Sequence, residues 1–450
     1  MAPRNVGIKA IEIYFPSRYV SQADLEPFLG ASKGKYTIGL GQTNMSFCDD
    51  REDTNSLALT TVSALLSKYK IDTSTIGRLE VGTESPLDKA KSTKTVLMQL
   101  FAPNGDIEGI DTFNACYGGT AALLNAVHWI ESSAWDGRDA IVVAVDIAMY
   151  DTVAARPTGG AGCVAMLVGA NADIVIEPLR ASYMRHDYDF YKPDFATEYP
   201  IVDSSSSMRY IEALDQCYRG YRGKKKRAVA MKGEGGSGLN GNSSEDQTPL
   251  EEFDFFVFHA PNCKLVSKAY ARLLWNDFIA CPGDRLFGLD EVPATIRGMD
   301  YQASLKDKSL EKLFIELSRE RFAQRVKPCL TCPTMCGNMY TATLYSGLVS
   351  LLSNVPSEEL IGKRIGMFSF GSGLASTLFS LRVIGDVQHI AQGIDLHARL
   401  AGREKMCRVR ERAYQQKNYT PVGSIDALAV GTYYLVYVDE GFRRTYAVKE

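Results

Sequence analysis

At 450 residues, with 45% apolar and 23% charged content, the chain can bury a large core and folds as two domains or one duplicated unit. A formal net charge of −3 carries no nucleic-acid footprint, and ten cysteines in so long a chain do not make a disulfide scaffold. No apolar run reaches the length of a membrane span, and Met1 to Gly7 leads straight into a strand-like segment without a targeting sequence, so a cytosolic protein with reduced thiols is expected.

Val6 to Phe15 alternates well enough to predict a strand ending at Pro16. Gly34 to Gln42 is a glycine-punctuated loop, and Asp53 to Tyr69 has the apolar spacing of a helix (Leu57, Leu59, Val62, Leu65, Leu66). Arg78 to Ser85 is a short strand that stops on polar residues, with Glu84 at its end. A helix near Thr93 to Phe101 and a strand-like Ile107 to Asp111 lead to Asn114-Ala115-Cys116-Tyr117-Gly118-Gly119-Thr120-Ala121-Ala122. Cys116 therefore stands where a strand gives way to a helix running to Trp129. Two glycines beside it admit close approach of backbone or substrate. Backbone N–H groups at a helix start stabilise a thiolate, the nucleophilic form of cysteine. The competing role is that of a small buried apolar residue. Ala140 to Ala148 is a nearly unbroken apolar run, a strand buried on both faces, and Gly160 to Gly169 supplies the next strand. Strands alternating with helices argue an α/β fold.

From Tyr218 to Leu250 the composition changes: Lys224 to Arg227 is basic, and Gly233 to Ser244 is glycine-rich and polar. This predicts a flexible surface insertion at 218–250 between an N-terminal half, 1–217, and a C-terminal half, 251–450. The second half repeats the first. Phe253 to His259 is a strand ending on a polar residue, as the strand before Glu84 does, and Asn262 to Phe278 is a helix. Gly337-Asn338-Met339-Tyr340-Thr341-Ala342 opens an apolar helix as Cys116 to Ala121 does. Arg364 to Phe370 mirrors the strand around Val143, and Leu374 to Val383 mirrors Gly160 to Gly169. Four polar groups, Glu84, Cys116, His259 and Asn338, are thereby delivered to equivalent element ends around a pseudo-twofold axis. Cys329, Cys332 and Cys336 have close spacing, but a fourth ligand is not evident among the five histidines, and no metal is expected.

In these segments the chain resembles the eukaryotic 3-hydroxy-3-methylglutaryl-CoA (HMG-CoA) synthases of the thiolase superfamily. The likeness rests on Gly34 to Gln42, Gly77 to Glu84, Asn114 to Ala122, Ala155 to Gly160, Asp189 to Asp194, Gly337 to Tyr340, Phe368 to Gly373, Gly423 to Asp426 and Gly431 to Val436. It implies duplicated α/β units in a layered αβαβα architecture. It also implies condensation of acetyl-CoA with acetoacetyl-CoA and hydrolysis to HMG-CoA, as in the mevalonate pathway of isoprenoid and sterol biosynthesis. By that resemblance Cys116 is the nucleophile that carries the acetyl group, Glu84 the general base, His259 the catalytic histidine and Asn338 its polar support. Tyr150, Thr158 and Ser372 match positions lining the acyl site. Lys264 and Lys268 match a place where CoA phosphates are met, and Asp88, Asp146 and Asp189 match supporting acidic positions. No cofactor beyond the thioester substrates and a homodimer are implied.

The sequence departs from the family at Tyr183, where a histidine is usual, at Phe370, where a tyrosine is common, and in Cys332 to Cys336, which replaces a more polar segment. A ketoacyl-synthase-III-like condensing enzyme and a non-catalytic paralogue of the fold are the alternatives. Glu84 argues against the first, since a decarboxylative condensation needs no base; intact Cys116, Glu84 and His259 argue against the second.

Overall fold

The computed structural model describes residues 3–193, 199–203, 205–233, 249–280, 292, 294–406 and 417–450. Ten strands form the main sheet: β1 (Gly7–Tyr14), β2 (Ile76–Gly82), β3 (Asp111–Thr112), β4 (Asp139–Ala148), β5 (Gly160–Gly169), β6 (Ile174–Ile176), β7 (Ala181–Met184), β8 (Phe255–Phe258), β9 (Arg364–Gly371) and β10 (Ala375–Val383). Their spatial order is 8-9-10-6-1-5-4-2-3, with β7 also on β10. The duplication is visible in the pairing. In one half β1 is antiparallel to β5, β5 antiparallel to β4, and β4 and β2, then β2 and β3, run parallel. In the other, β6 and β7 are antiparallel to β10, β10 antiparallel to β9, and β9 parallel to β8. The halves join where Gly7 and Ile8 pair with Val175 and Ile174. Gly7 is required there: a Cβ would sit 2.0 Å from the Ile174 carbonyl oxygen.

The helices that cover this sheet are α1 (Thr54–Lys68), α2 (Thr93–Leu97), α3 (Gly118–Ile130), α4 (Ser206–Gly233), α5 (Cys263–Ala280), α6 (Thr331–Cys336) and α7 (Thr343–Asn354). Strands without polar alternation need cover on both faces, and they receive it. Ala140, Val142 and Ala144 of β4 point to a core shared with α3, α7 and the Ile365, Met367, Phe379 and Leu381 side chains of β9 and β10. Ile141, Val143 and Val145 point the other way, to Leu57, Leu59 and Val62 of α1 and Leu97 of α2. Phe256, Phe258, Phe368 and Leu378 face a third core with α4 and α5. The two halves of the sheet thus lie on either side of the shared core, and the layers read helix, half-sheet, helix pair, half-sheet, helix, the αβαβα order expected.

The reading of 218–250 as a flexible insertion is corrected over its first part. Residues 218–233 complete α4, and Tyr218 and Tyr221 are buried in the third core. Lys224 and Lys226 are exposed on that helix, and Lys225 pairs with Glu252. A basic run on the wet face of an amphipathic helix has the composition of a loop, and the tyrosines that anchor it lie just before it. Residues 234–248 lie outside the described residues. The boundary between repeats also moves. β6, β7 and the start of α4, placed in the first half from sequence, pair and pack with β10, β8 and α5, so the second unit begins at about residue 174. Cys329 lies in a short 3-10 turn, Lys327–Leu330. The helix expected to open at Gly337 begins at Thr343, after a 3-10 turn over Tyr340–Ala342.

Candidate active site

Cys116 occupies a tight turn between β3 and α3. Ala115 before it has φ +44°, and the Tyr117 N–H donates to the Asn114 carbonyl at 3.0 Å. The second half pins this turn. Asn114 Nδ2 donates to the Ser372 carbonyl at 3.0 Å, and a Cβ on Gly371 would lie 2.2 Å from the Asn114 carbonyl oxygen. The Cys116 turn thus rests against the end of β9. Burial, then the charges of Glu84 and Asp146, push the Cys116 thiol well above 9, with Lys192 pulling the other way. The helix start that favours a thiolate is thus opposed by desolvation and by the charges of Glu84 and Asp146.

Glu84 follows β2, which approaches α3 so closely that a Cβ on Gly82 would meet the Gly119 nitrogen at 2.3 Å. Asp146, buried near the end of β4, organises this corner. Its Oδ1 accepts from the Glu84 N–H (2.8 Å), Ser85 Oγ (2.7 Å) and Thr83 Oγ1 (3.0 Å). Its Oδ2 accepts from the Thr341 N–H (3.0 Å) and Thr341 Oγ1 (2.5 Å), so one carboxylate ties the Glu84 loop to the second half. Both carboxylate oxygens of Glu84 are buried without a hydrogen-bond partner. Lys192 Nζ stands 3.6 Å from Oε1 and donates to the Glu84 carbonyl at 3.3 Å. Burial raises Glu84 to about 8, Lys192 opposing and Asp146 adding to the shift. Lys192 was given no role from sequence, although it lies inside the Asp189 to Asp194 motif. A lone lysine in a motif carries no periodic or spacing signal.

His259 follows β8, its N–H donating to the Phe368 carbonyl at 2.8 Å and its carbonyl accepting from Tyr210 Oη at 2.7 Å. Both ring nitrogens are buried and unpartnered, and burial lowers its pKa to about 3, so the imidazole is neutral. The neighbouring β9 ends against the Cys116 turn, which puts His259 at the same end of the sheet. Asn338 lies in the turn before α7, across from Thr158: its N–H donates to the Thr158 carbonyl at 3.2 Å. Asn338 Oδ1 accepts from the Tyr340 N–H and from Thr343 Oγ1, both at 2.9 Å, which fixes the amide orientation. Gly337, at φ +77°, allows this turn to press on β5, since a Cβ there would lie 2.0 Å from the Gly159 carbonyl.

Tyr150, Tyr340 and Phe190 form an edge-to-face aromatic wall, with ring centroids 6.1 and 5.8 Å apart. Tyr150 and Tyr340 both sense the charges of Glu84 and Cys116, and burial, the larger cause, raises both phenols. Lys192 Nζ lies 5.0 Å from the Tyr340 ring centroid. Thr158 Oγ1 donates to the Ala155 carbonyl at 2.7 Å, a turn bond. Asp189 Oδ1 accepts from the Gly373 N–H at 2.8 Å and its other oxygen is buried and unpartnered, so Asp189 and Ser372 shape one corner. Of the departures, Phe370 packs 5.1 Å from the Tyr210 ring, and Tyr183 sits on β7 with its hydroxyl facing Arg185.

Three expected residues are not brought into this cluster. Asp88 is exposed and caps a turn, accepting from the Ala90 and Lys91 N–H groups at 2.7 and 2.8 Å. Lys264 lines an open cleft of about 490 Å³ with Gly41, Cys263, Lys327, Thr334 and Met335. Lys268, one helical turn on, does not share it: it lines a separate recess and pairs with Glu311 at 3.1 Å. The sequence spacing gave both lysines one face, and Glu311 claims the second. Among the described residues no group of three or more His, Cys, Asp or Glu is arranged to hold a metal ion.

The site thus offers a thiol, a buried carboxylate without a hydrogen-bond partner, a neutral imidazole and an oriented amide behind an aromatic wall, a set suited to acyl transfer and to proton removal next to a thioester. Residues 2–173 match the family model for the hydroxymethylglutaryl-coenzyme A synthase N terminus, and 174–449 match that for the C terminus. The hydroxymethylglutaryl-CoA synthase erg13A of Aspergillus fumigatus is 63% identical over 455 residues, covering 99% of this chain and 96% of that protein. The hydroxymethylglutaryl-CoA synthase of Saccharomyces cerevisiae is 54% identical over 457 residues, covering 100% of this chain and 91% of that one. A solved structure of MvaS in complex with 3-hydroxy-3-methylglutaryl coenzyme A superposes with a TM-score of 0.82 at 32% identity, with all of both chains covered.

Proposed function

This chain belongs to the hydroxymethylglutaryl-CoA synthase family, and on that premise we propose that it condenses acetyl-CoA with acetoacetyl-CoA through an acetyl-Cys116 intermediate. Cys116 Sγ attacks the acetyl thioester carbon, and free CoA leaves with the thiol proton. The Glu84 carboxylate then takes a proton from the methyl group of acetyl-Cys116. The resulting carbanion bonds to C3 of acetoacetyl-CoA. The C3 alkoxide, hydrogen-bonded to the neutral His259 ring with Asn338 beside it, takes up the proton equivalent that Glu84 removed, which gives the hydroxyl and returns Glu84 to its carboxylate form. Water cleaves the thioester to Cys116, releasing HMG-CoA and restoring the thiol.

The observation that carries this reading is the unpartnered, buried Glu84 carboxylate at about 8, facing the same charges as Cys116. A methyl next to a thioester is weakly acidic, so its base must combine high basicity with freedom from competing hydrogen bonds. The reaction as written uses no cofactor beyond the two thioesters. A mevalonate-pathway role follows from the family. A cytoplasmic setting is the location we propose. A homodimer is the assembly we propose. Acetoacetyl-CoA-dependent release of free CoA by the purified protein tests the function, and its absence from folded protein that still acetylates Cys116 would rule out the condensation.

A further inference from the structure

Burial, then the charge of Asp146 on β4, resists the ionisation of Glu84. The Cys116 thiol at the start of α3 and the Tyr150 and Tyr340 phenols also sense the Glu84 charge. The cation paired with it among the described residues is Lys192. That ammonium is itself held from several sides. It lies 3.6 Å from Glu84 Oε1, donates to the Glu84 carbonyl at 3.3 Å, and stands 5.0 and 5.9 Å from the Tyr340 and Phe190 ring centroids. A lysine meeting both the carbonyl and the carboxylate of one residue constrains the χ angles between them. Aromatic faces hold an ammonium without adding a competing anion.

We propose that Lys192 is a positioning residue for the base: seated between the Glu84 carboxylate and carbonyl and the faces of Tyr340 and Phe190, its ammonium aims the carboxylate at the acetyl group on Cys116 and favours the ionised form that removes the proton. The 3.6 Å separation leaves both carboxylate oxygens without a hydrogen bond, so the charge is supported while the lone pairs stay open to the methyl proton. A direct, short ion pair would occupy a lone pair and weaken the base. The proposal rests on Glu84 acting as the base in the reaction described above.

The test compares Lys192→Met, which keeps the bulk, with Lys192→Arg, which keeps the charge. Two readouts are taken on each: the pH dependence of kcat for CoA release, and acetylation of Cys116 by mass spectrometry. Lys192→Met is expected to move the acid limb of kcat upward by at least about one pH unit, a loss of about tenfold at fixed pH below the limb, recovered as pH rises. Because Lys192 also favours the Cys116 thiolate, acetylation is read as its end-point extent, which should stay within about twofold of the parent as should the KM for acetyl-CoA, and Lys192→Arg should restore most of the limb. An unmoved limb, or an equal loss at every pH, in a variant with the parent's thermal unfolding overturns the proposal. If Lys192→Met does not fold, Lys192→Gln takes its place with the same expected shift. Failure of the underlying reading would look different: Glu84→Ala would still release CoA in the presence of acetoacetyl-CoA at the parent's rate.

Discussion

Thr341 gives both its backbone N–H and its hydroxyl to Asp146 Oδ2, while the other oxygen of the same carboxylate holds the Glu84 N–H. One buried side chain thereby sets the distance between the base loop of the first repeat and the turn that opens α7 in the second. Asp146→Ala should strand two backbone donors and three hydroxyls. The expected loss is at least about 3 kcal/mol, at roughly 1–3 kcal/mol for each buried group left unpaired. Asp146→Asn, which retains one acceptor, should lose less. Urea unfolding reads the stability, and turnover should fall further than the folded fraction explains. A variant with parental stability and activity would mean the bridge contributes nothing.

Acetylation and condensation should separate by residue. Cys116→Ser is expected to form no acetyl-enzyme, whereas Glu84→Ala should acetylate and fail to condense; mass spectrometry and CoA release distinguish the two. Because burial and the nearby carboxylates hold the Cys116 thiol well above 9, the parent's acetylation rate should keep climbing as pH rises through 9. A plateau at neutral pH would show that a thiolate is already present in the resting enzyme.

Glu84 places a pH-dependent load on the fold. Its folded pKa of about 8 lies above the ordinary carboxylate value of 4.5, so the folded state holds the proton more tightly. The stability is fully present below about pH 4.5 and is lost as pH rises toward 8, because the unfolded chain ionises first. Glu84→Gln should therefore be more stable than the parent above pH 8, on the order of a few kcal/mol, with the gain vanishing near pH 4.5. Thermal unfolding of both proteins at the two pH values checks the sign; an equal difference at both would contradict it.

The helical assignment of 218–233 has its own test. Tyr218 is buried, and its hydroxyl donates to Asp277 at 2.9 and 3.0 Å. Tyr218→Ala should cost about 3–5 kcal/mol, the scale for truncating a buried aromatic residue. Lys226→Ala, on the exposed face, should stay within about 0.5 kcal/mol. Equal, small effects in denaturant unfolding would return the stretch to a surface insertion.

The cysteine cluster should bind no metal. Cys329, Cys332 and Cys336 are packed into the central apolar core, and Arg403 Nη1 lies 3.8 Å from Cys336 Sγ, where its charge opposes a bound cation. Elemental analysis of protein purified without added metal should find no stoichiometric zinc or iron, and exhaustive chelation should leave CoA release unchanged. Loss of turnover on chelation, restored by one metal, would overturn this.

Much of this architecture is local and therefore readable along the chain. The unbroken apolar run of β4 required cover on both faces, and the small residues after Cys116 required a closely packed helix; both features reside in the order of the amino acids. The repeat of strand ends was equally legible, and with it Glu84, Cys116, His259 and Asn338 as a set. Tertiary contacts alone decided the rest. Lys192 acquires its role from the groups folded around it, and Lys268 is drawn away by Glu311, from beyond the helix it sits on. The protonation of Cys116, Glu84 and His259 is likewise a property of assembly. Their pKa values are displaced mainly by loss of water, and how much water a side chain loses is settled when the two repeats close over it.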